Sequence, residues 1–159
     1  MTYLWDTTTC SALMRRDAKV RARVAALTPA DRVVICTITR REILYGLARL
    51  PEGKRRSALE AEAMSLFGQV VCLAVPEAAA DQYAAIKWET ERQGTPLDEN
   101  DLWIAATART LAAVVVTTDV ISSGSAACSQ RIGHNDTDLA GPSFRSASTT
   151  WGCHGSLGA

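Results

Sequence analysis

Short apolar runs alternate along this chain with longer stretches whose apolar residues recur every three or four positions. Tyr3-Leu4-Trp5 is a brief strand ending at Asp6. From Thr7 the pattern Ala12, Leu13, Val20, Val24 and Leu27 predicts one helix, closed by Thr28-Pro29. Val33 to Ile38 is a β-branched run suited to a strand buried on both faces, and Ile43, Leu44 and Leu47 then continue at helical spacing. A second amphipathic helix follows Gly53. Val70 to Val75 reads as a strand, Glu77 to Arg92 as a long helix, and Gly94 with Pro96 as its break. The clearest helical signal is Leu97 to Leu111. Asp98 takes the N-cap place there, and Leu102, Ile104, Ala105, Ala108 and Leu111 form a broad buried face. Ala113 to Thr117 is a fourth apolar strand, ending at Asp119. Strands alternating with helices in this way predict an α/β fold, a parallel sheet flanked by helices, whose ligands gather beyond the carboxyl ends of the strands.

That edge gives four acids a common address. Asp6 ends the first strand, Glu42 lies in the first turn after the second, Asp101 opens the helix before the fourth, and Asp119 ends the fourth. Each also has a purely structural reading: Thr39-x-x-Glu42 matches a capping box, and Asp6 and Asp119 suit loop starts. The shared edge favours function. Converging carboxylates repel one another unless a cation lies among them, and Mg²⁺ or Mn²⁺ prefers oxygen ligands. A metal so held can activate water and stabilise charge on a phosphate.

Composition narrows the field. The chain has 159 residues, enough for one ordinary domain, and its 17 basic side chains equal its 17 acidic ones. With no global positive field, a nucleic-acid partner must be held by local patches or by metal. Arg40 and Arg41 are the leading candidates, followed by Arg15, Arg16 and Lys54-Arg55-Arg56. The first residues, M-T-Y-L-W-D, do not read as an export signal, and there is no apolar run of membrane-spanning length, so the expected location is cytoplasmic with no membrane partner. The five cysteines form no C-x-x-C pair, and no disulfide framework is implied. A phosphoacceptor receiver domain is excluded by the single acid after the first strand and by Val75-Pro76 after the third. A D-x-D-x-T phosphatase is excluded because Thr7, Thr8 and Thr9 follow Asp6.

The segments Y-L-W-D-T-T-T-C-S, I-T-R-R-E-I-L-Y-G, G-T-P-L-D-E-N-D-L-W-I-A-A-T-A and V-V-V-T-T-D stand in the order and spacing of a known family. The chain resembles a PIN-domain ribonuclease of the VapC toxin type, from residue 1 to about residue 119. The resemblance implies a PIN-like sheet and a Mg²⁺- or Mn²⁺-dependent endoribonuclease, the toxin of a type II toxin–antitoxin pair. It makes Asp6, Glu42, Asp101 and Asp119 the metal-binding and catalytic quartet, with Thr7, Thr117 and Thr118 as supporting or substrate-contacting hydroxyls. It further implies a homodimer and a small cognate antitoxin that inserts an arginine or an apolar helix into the acid pocket. Thr8 stands where family members usually carry Asn or Ser; against Ser, one hydroxyl replaces another. The rival expectation is a PIN-like module that binds antitoxin or RNA without turnover; metal binding that vanishes in Asp101→Asn separates the two.

The resemblance stops just after Asp119, and the chain divides into a nuclease unit, residues 1–121, and a tail, residues 122–159. From Val120 onward, 22 of 40 residues are Ser, Gly, Ala or Thr and six are Val, Ile, Leu or Phe, a composition that predicts disorder and a lost or degenerate fifth strand. His134 and His154 lie near Cys128 and Cys153, but C-x₅-H-x₁₈-C-H matches no usual zinc spacing. The family pattern R-D-F-x-R-I-x-G-L is missing. Back-translated with TCN serine codons and read one nucleotide earlier, V-I-S-S-G-S-A-A-C permits that pattern at every position, which points to a frameshift after Asp119. A sheet ending at an exposed fourth strand would lower stability and activity.

Overall fold

Strand β1 (Thr2–Trp5) lies inside the sheet because its residues serve two cores at once. In a strand successive side chains face opposite sides, and here both sides are apolar. Tyr3 and Trp5 point into one layer with Val33, Ile35, Cys72 and Val116, while Leu4 points into the other with Val34, Cys36, Leu73 and Val115. The computed structural model describes residues 1–118. Asp119 and the tail, with the expectations of disorder, a missing fifth strand and a histidine–cysteine cluster, lie outside the described residues.

The remaining elements follow in chain order: α1 (Thr7–Met14), α2 (Ala18–Ala25), β2 (Arg32–Cys36), α3 (Thr37–Ala48), α4 (Lys54–Gln69), β3 (Val71–Leu73), α5 (Ala79–Arg92), α6 (Glu99–Thr110) and β4 (Val114–Val116). The four described strands are parallel in the order β3-β2-β1-β4, in register at Leu4 with Val34 and with Val115. The chain therefore steps outward from β1 through β2 to β3, then returns to the other side of β1. Between β1 and β4 the connections diverge, which opens a crevice at the strand carboxyl ends.

One core layer is Trp5, Cys10, Met14, Ile35, Ile43, Leu47 and Ala63, under α1, α3 and α4. The other holds Leu4, Val34 and Cys36 against Ile104 and Ala108 of α6. Ala79, Ile86, Leu102, Ala105 and Ala106 join α5 to α6, and the small alanines let the two backbones pack closely. Among the described residues, no helix is long and apolar enough to cross a membrane.

Three sequence expectations need correction. The helix expected to run unbroken to Leu27 is two helices. Arg16 takes a left-handed φ of 60°, and Asp17 caps α2 by accepting from the amides of Lys19 (2.9 Å) and Val20 (3.0 Å). The apolar spacing on either side hid the cap, although Asp before a helical run is a strong start signal. The second strand stops at Cys36 rather than Ile38, because α3 starts at Thr37. The capping box at Thr39 and Glu42 does not form: the N-cap residue is Cys36, and buried Thr39 instead donates its hydroxyl to the Trp5 carbonyl (3.3 Å). Asp98, by contrast, does cap α6, accepting from the Glu99 amide at 2.6 Å.

The turn from α6 into β4 is a Schellman motif. The amide of Ala113 reaches the Ala108 carbonyl (2.9 Å) and that of Ala112 the Arg109 carbonyl (3.3 Å), with Ala112 at φ 49°. Glycine normally occupies that left-handed position, since a Cβ costs about 1 kcal/mol there.

Candidate active site

Asp6 follows β1 directly and caps α1, so backbone geometry alone fixes it in the crevice. The residue is 8% exposed. Oδ1 accepts from the Thr9 amide (2.7 Å) and Oδ2 from the Thr8 hydroxyl (2.8 Å), while its own amide donates to the Val116 carbonyl of β4 (3.2 Å). A helix start supplies free N–H groups and a partial positive charge, which favour a carboxylate here. The T-T-T run finishes the floor. Thr9, 1% exposed, donates its hydroxyl to the Val116 carbonyl (2.7 Å); Thr8 lies 3.3 Å from the Thr117 hydroxyl and accepts from the Thr118 amide (3.2 Å). Two neighbouring hydroxyls, those of Thr8 and Thr9, thus tie α1 to the end of β4. Beneath them burial, then the negative charge of Asp6, then that of Cys36, push the Cys10 thiol up to about 12.

The rim is made differently. Glu42, half-buried in α3, receives the Thr7 hydroxyl on Oε2 and the Asn100 amide on Oε1 (2.6 Å). Thr7 is the residue after Asp6, so this bond brings Glu42 beside the floor. Asn100 belongs to the first turn of α6, and its Oδ1 accepts from Arg41 Nη2 (2.6 Å). Asp101 follows it in that same turn, exposed at the helix start. Arg40 lays its guanidinium 4.2 Å from the centre of the Phe67 ring. Of the other basic residues named from sequence, Arg16 pairs with Glu62 and Arg56 with Glu60.

These contacts join three elements at one sheet edge: the start of α1, the α3 helix and the start of α6. Among the described residues, no group of three or more His, Cys, Asp or Glu is arranged to hold a metal ion, and the fourth acid, Asp119, lies outside them. Among the described residues the donors at the rim are carboxylate, amide and hydroxyl oxygens, the chemistry a hard divalent cation prefers.

The PIN-domain family model matches residues 3–121. The chain belongs to the PIN-domain family. Ribonuclease VapC1 of Haemophilus influenzae strain R2866 is 35% identical over 124 residues, covering 76% of this chain and 88% of that protein. The VapBC-1 structure from nontypeable Haemophilus influenzae shares 32% identity at a TM-score of 0.64, covering 76% of this chain and 89% of that one. VapBC2 from Rickettsia felis, bound to a DNA fragment from its promoter, superposes at a TM-score of 0.68 with 20% identity, a likeness of fold. The parallel four-stranded sheet and its flanking helices are those of VapC-type PIN domains, as the sequence resemblance implied.

In this PIN domain Asn100 is the residue that sequence reading passed over. It stands inside the quoted segment L-D-E-N-D-L, directly before Asp101. A short amide at a helix start reads as capping chemistry, and nothing in the spacing links it to an acid 58 residues away. Thr8, where the family usually has Asn or Ser, engages Asp6 and Thr118 through its hydroxyl.

Proposed function

We propose that this PIN domain is a divalent-metal-dependent endoribonuclease, the toxin of a toxin–antitoxin pair. The observation that carries the reading is the meeting of Asp6 and Glu42 across Thr7, from separate elements, beside the crevice where the sheet order reverses. The chain's likeness to the ribonuclease VapC1 and to the VapBC-1 structure of Haemophilus influenzae supports it. Asp6, Glu42, Asp101 and Asp119 would hold Mg²⁺ or Mn²⁺, which when bound supplies activated water and charge stabilisation at the phosphate. The chain's own part is positioning. The α1 start and Thr8 fix the Asp6 carboxylate, Thr7 and Asn100 fix that of Glu42, and Thr117 and Thr118 present polar groups at the end of β4. Arg41, exposed beside Glu42, and Arg40 would supply the local positive charge that the neutral chain lacks overall.

An antitoxin partner fits the surface as well as the name. A cleft of about 640 Å³ between α1, α2 and α4 has an apolar floor of Trp5, Met14, Val24 and Leu66 and a rim of Arg16, Arg21 and Glu62. It suits an amphipathic segment of a second protein. Exposed Leu44, Tyr45, Met64 and Trp88 offer surface for a homodimer, and a cytoplasmic location accords with an RNA substrate. Residues 1–121 would form the nuclease unit, and a frameshift after Asp119 would account for the tail. Sequencing the coding strand tests that cause: a neighbouring frame that does not read D-F-x-R-I-x-G-L overturns it.

Purified protein with Mg²⁺ or Mn²⁺ should cut structured RNA, and Asp6→Asn and Asp101→Asn should each lower the rate on the order of a thousandfold. Asp6→Asn keeps an acceptor for the Thr9 amide and so the helix cap, and loses only the acceptor for the Thr8 hydroxyl, so the variant should remain folded. Equal cleavage by wild type and both variants would refute the assignment.

A further inference from the structure

Asn100 stands between a cation and an anion. The Arg41 guanidinium has only donors, and it meets Oδ1; the Glu42 carboxylate has only acceptors, and it meets Nδ2, each at 2.6 Å. With those two partners the amide has one favourable orientation, because turning it over would set oxygen against oxygen and N–H against N–H. Arg41 therefore fixes which face Asn100 shows to Glu42. On the opposite side Thr7 donates to the second carboxylate oxygen. One donor on each oxygen, from α6 and from α1, sets both the position and the plane of a side chain whose three torsions would otherwise leave it mobile on the half-buried rim.

We propose that Asn100 is a positioning residue for Glu42, oriented by Arg41, so that α6 delivers to the site an amide that aims its neighbour's carboxylate as well as the acid Asp101. The inference rests on the nuclease reading and extends it, since neither the acid quartet nor the basic patch includes Asn100. It also gives Arg41 a task inside the protein: its charge reaches Glu42 through an intervening amide. Misplacing a reacting or ligating group by about 1 Å costs on the order of a hundredfold in rate. Loss of one of two tethers on the half-buried rim should accordingly lower turnover without unfolding the domain.

The test is single-turnover cleavage of a structured RNA with saturating Mn²⁺, alongside melting curves, for wild type, Asn100→Ala, Asn100→Asp, Glu42→Ala and the double variant Glu42→Ala/Asn100→Ala. Asn100→Ala should lower the cleavage rate about tenfold to a hundredfold, with RNA affinity within about twofold. Asn100→Asp has nearly the shape of asparagine and still accepts from Arg41, but it sets a second carboxylate against Glu42. Positioning predicts that it is at least as impaired as Asn100→Ala, whereas mere packing predicts that it is the better enzyme. In the Glu42→Ala background, loss of Asn100 should change the rate less than about twofold. Asn100→Ala cutting as fast as wild type, Asn100→Asp outperforming it, or fully additive losses each overturns the inference while leaving the nuclease assignment standing. A wild-type protein that does not cut, or that cuts no faster than Asp6→Asn, overturns both.

Discussion

The floor of the crevice and its rim hold their carboxylates by opposite means. On the floor, Asp6 sits where a strand ends and a helix starts, and backbone amides, neighbouring hydroxyls and the Val116 carbonyl fix the surroundings. On the rim, Glu42 is placed by side chains from two other helices, Thr7 and Asn100, at the end of its own flexible stem. The floor is therefore part of the fold, and disturbing it disturbs stability. The rim is an adjustable arrangement on top of it, where a lost contact costs alignment before it costs structure.

The sharpest way to break this contrast is by stability. Thr9→Val keeps shape but removes a buried hydroxyl from the Val116 carbonyl, and should destabilise the domain by about 1 to 2 kcal/mol in urea titration. Glu42→Ala should shift stability by less than about 0.5 kcal/mol, as surface changes commonly do. Equal losses from the two would erase the distinction between floor and rim. A smaller effect of opposite sign is expected at the turn leading into the floor. Ala112→Gly relieves the left-handed residue of the Schellman motif and should stabilise by about 0.5 to 1 kcal/mol, read as a raised melting temperature. An effect absent at neutral pH belongs to Cys10. Its folded thiol titrates at about 12 against 9.0 for an ordinary cysteine, so the folded state keeps a proton that the unfolded state has released between those values. Stability should fall as pH rises above about 9, with a slope that Cys10→Ala reduces. An unchanged slope in that variant would mean that Cys10 is not held above the ordinary range.

What could be read from the sequence follows the same division. Asp6 at a strand end and Asp98 before an apolar-periodic run are local signals, and both residues cap their helices. The parallel sheet was legible because β1 and β2 are apolar at every position facing either core. Local rules failed where a tertiary partner decided. Thr39 and Glu42 have the spacing of a capping box, yet Thr39 turns inward to Trp5 and Glu42 outward to Thr7 and Asn100. The stacking of Arg40 on Phe67 was likewise out of reach of local rules, because the ring lies 27 positions away, beyond any helical repeat. Asn100 was invisible for the same reason, since its partners Arg41 and Glu42 lie 59 and 58 residues back.

The bond from Thr9 to Val116 spans 107 residues, and among the described residues every strand pair is parallel, with no hairpin to bring neighbours together early. Closing so long a loop must precede the reward of the contact, which makes such pairings slow to form. During synthesis β1 and α1 leave the ribosome long before β4 does. At about 5 to 20 residues per second, that gap is roughly 5 to 20 s. For that interval Asp6 has its cap but no fourth strand beside it, and the nascent chain carries half a floor. Arrival of Val116 therefore acts as a built-in timer: the crevice around Asp6 can assemble only when β4 has been made.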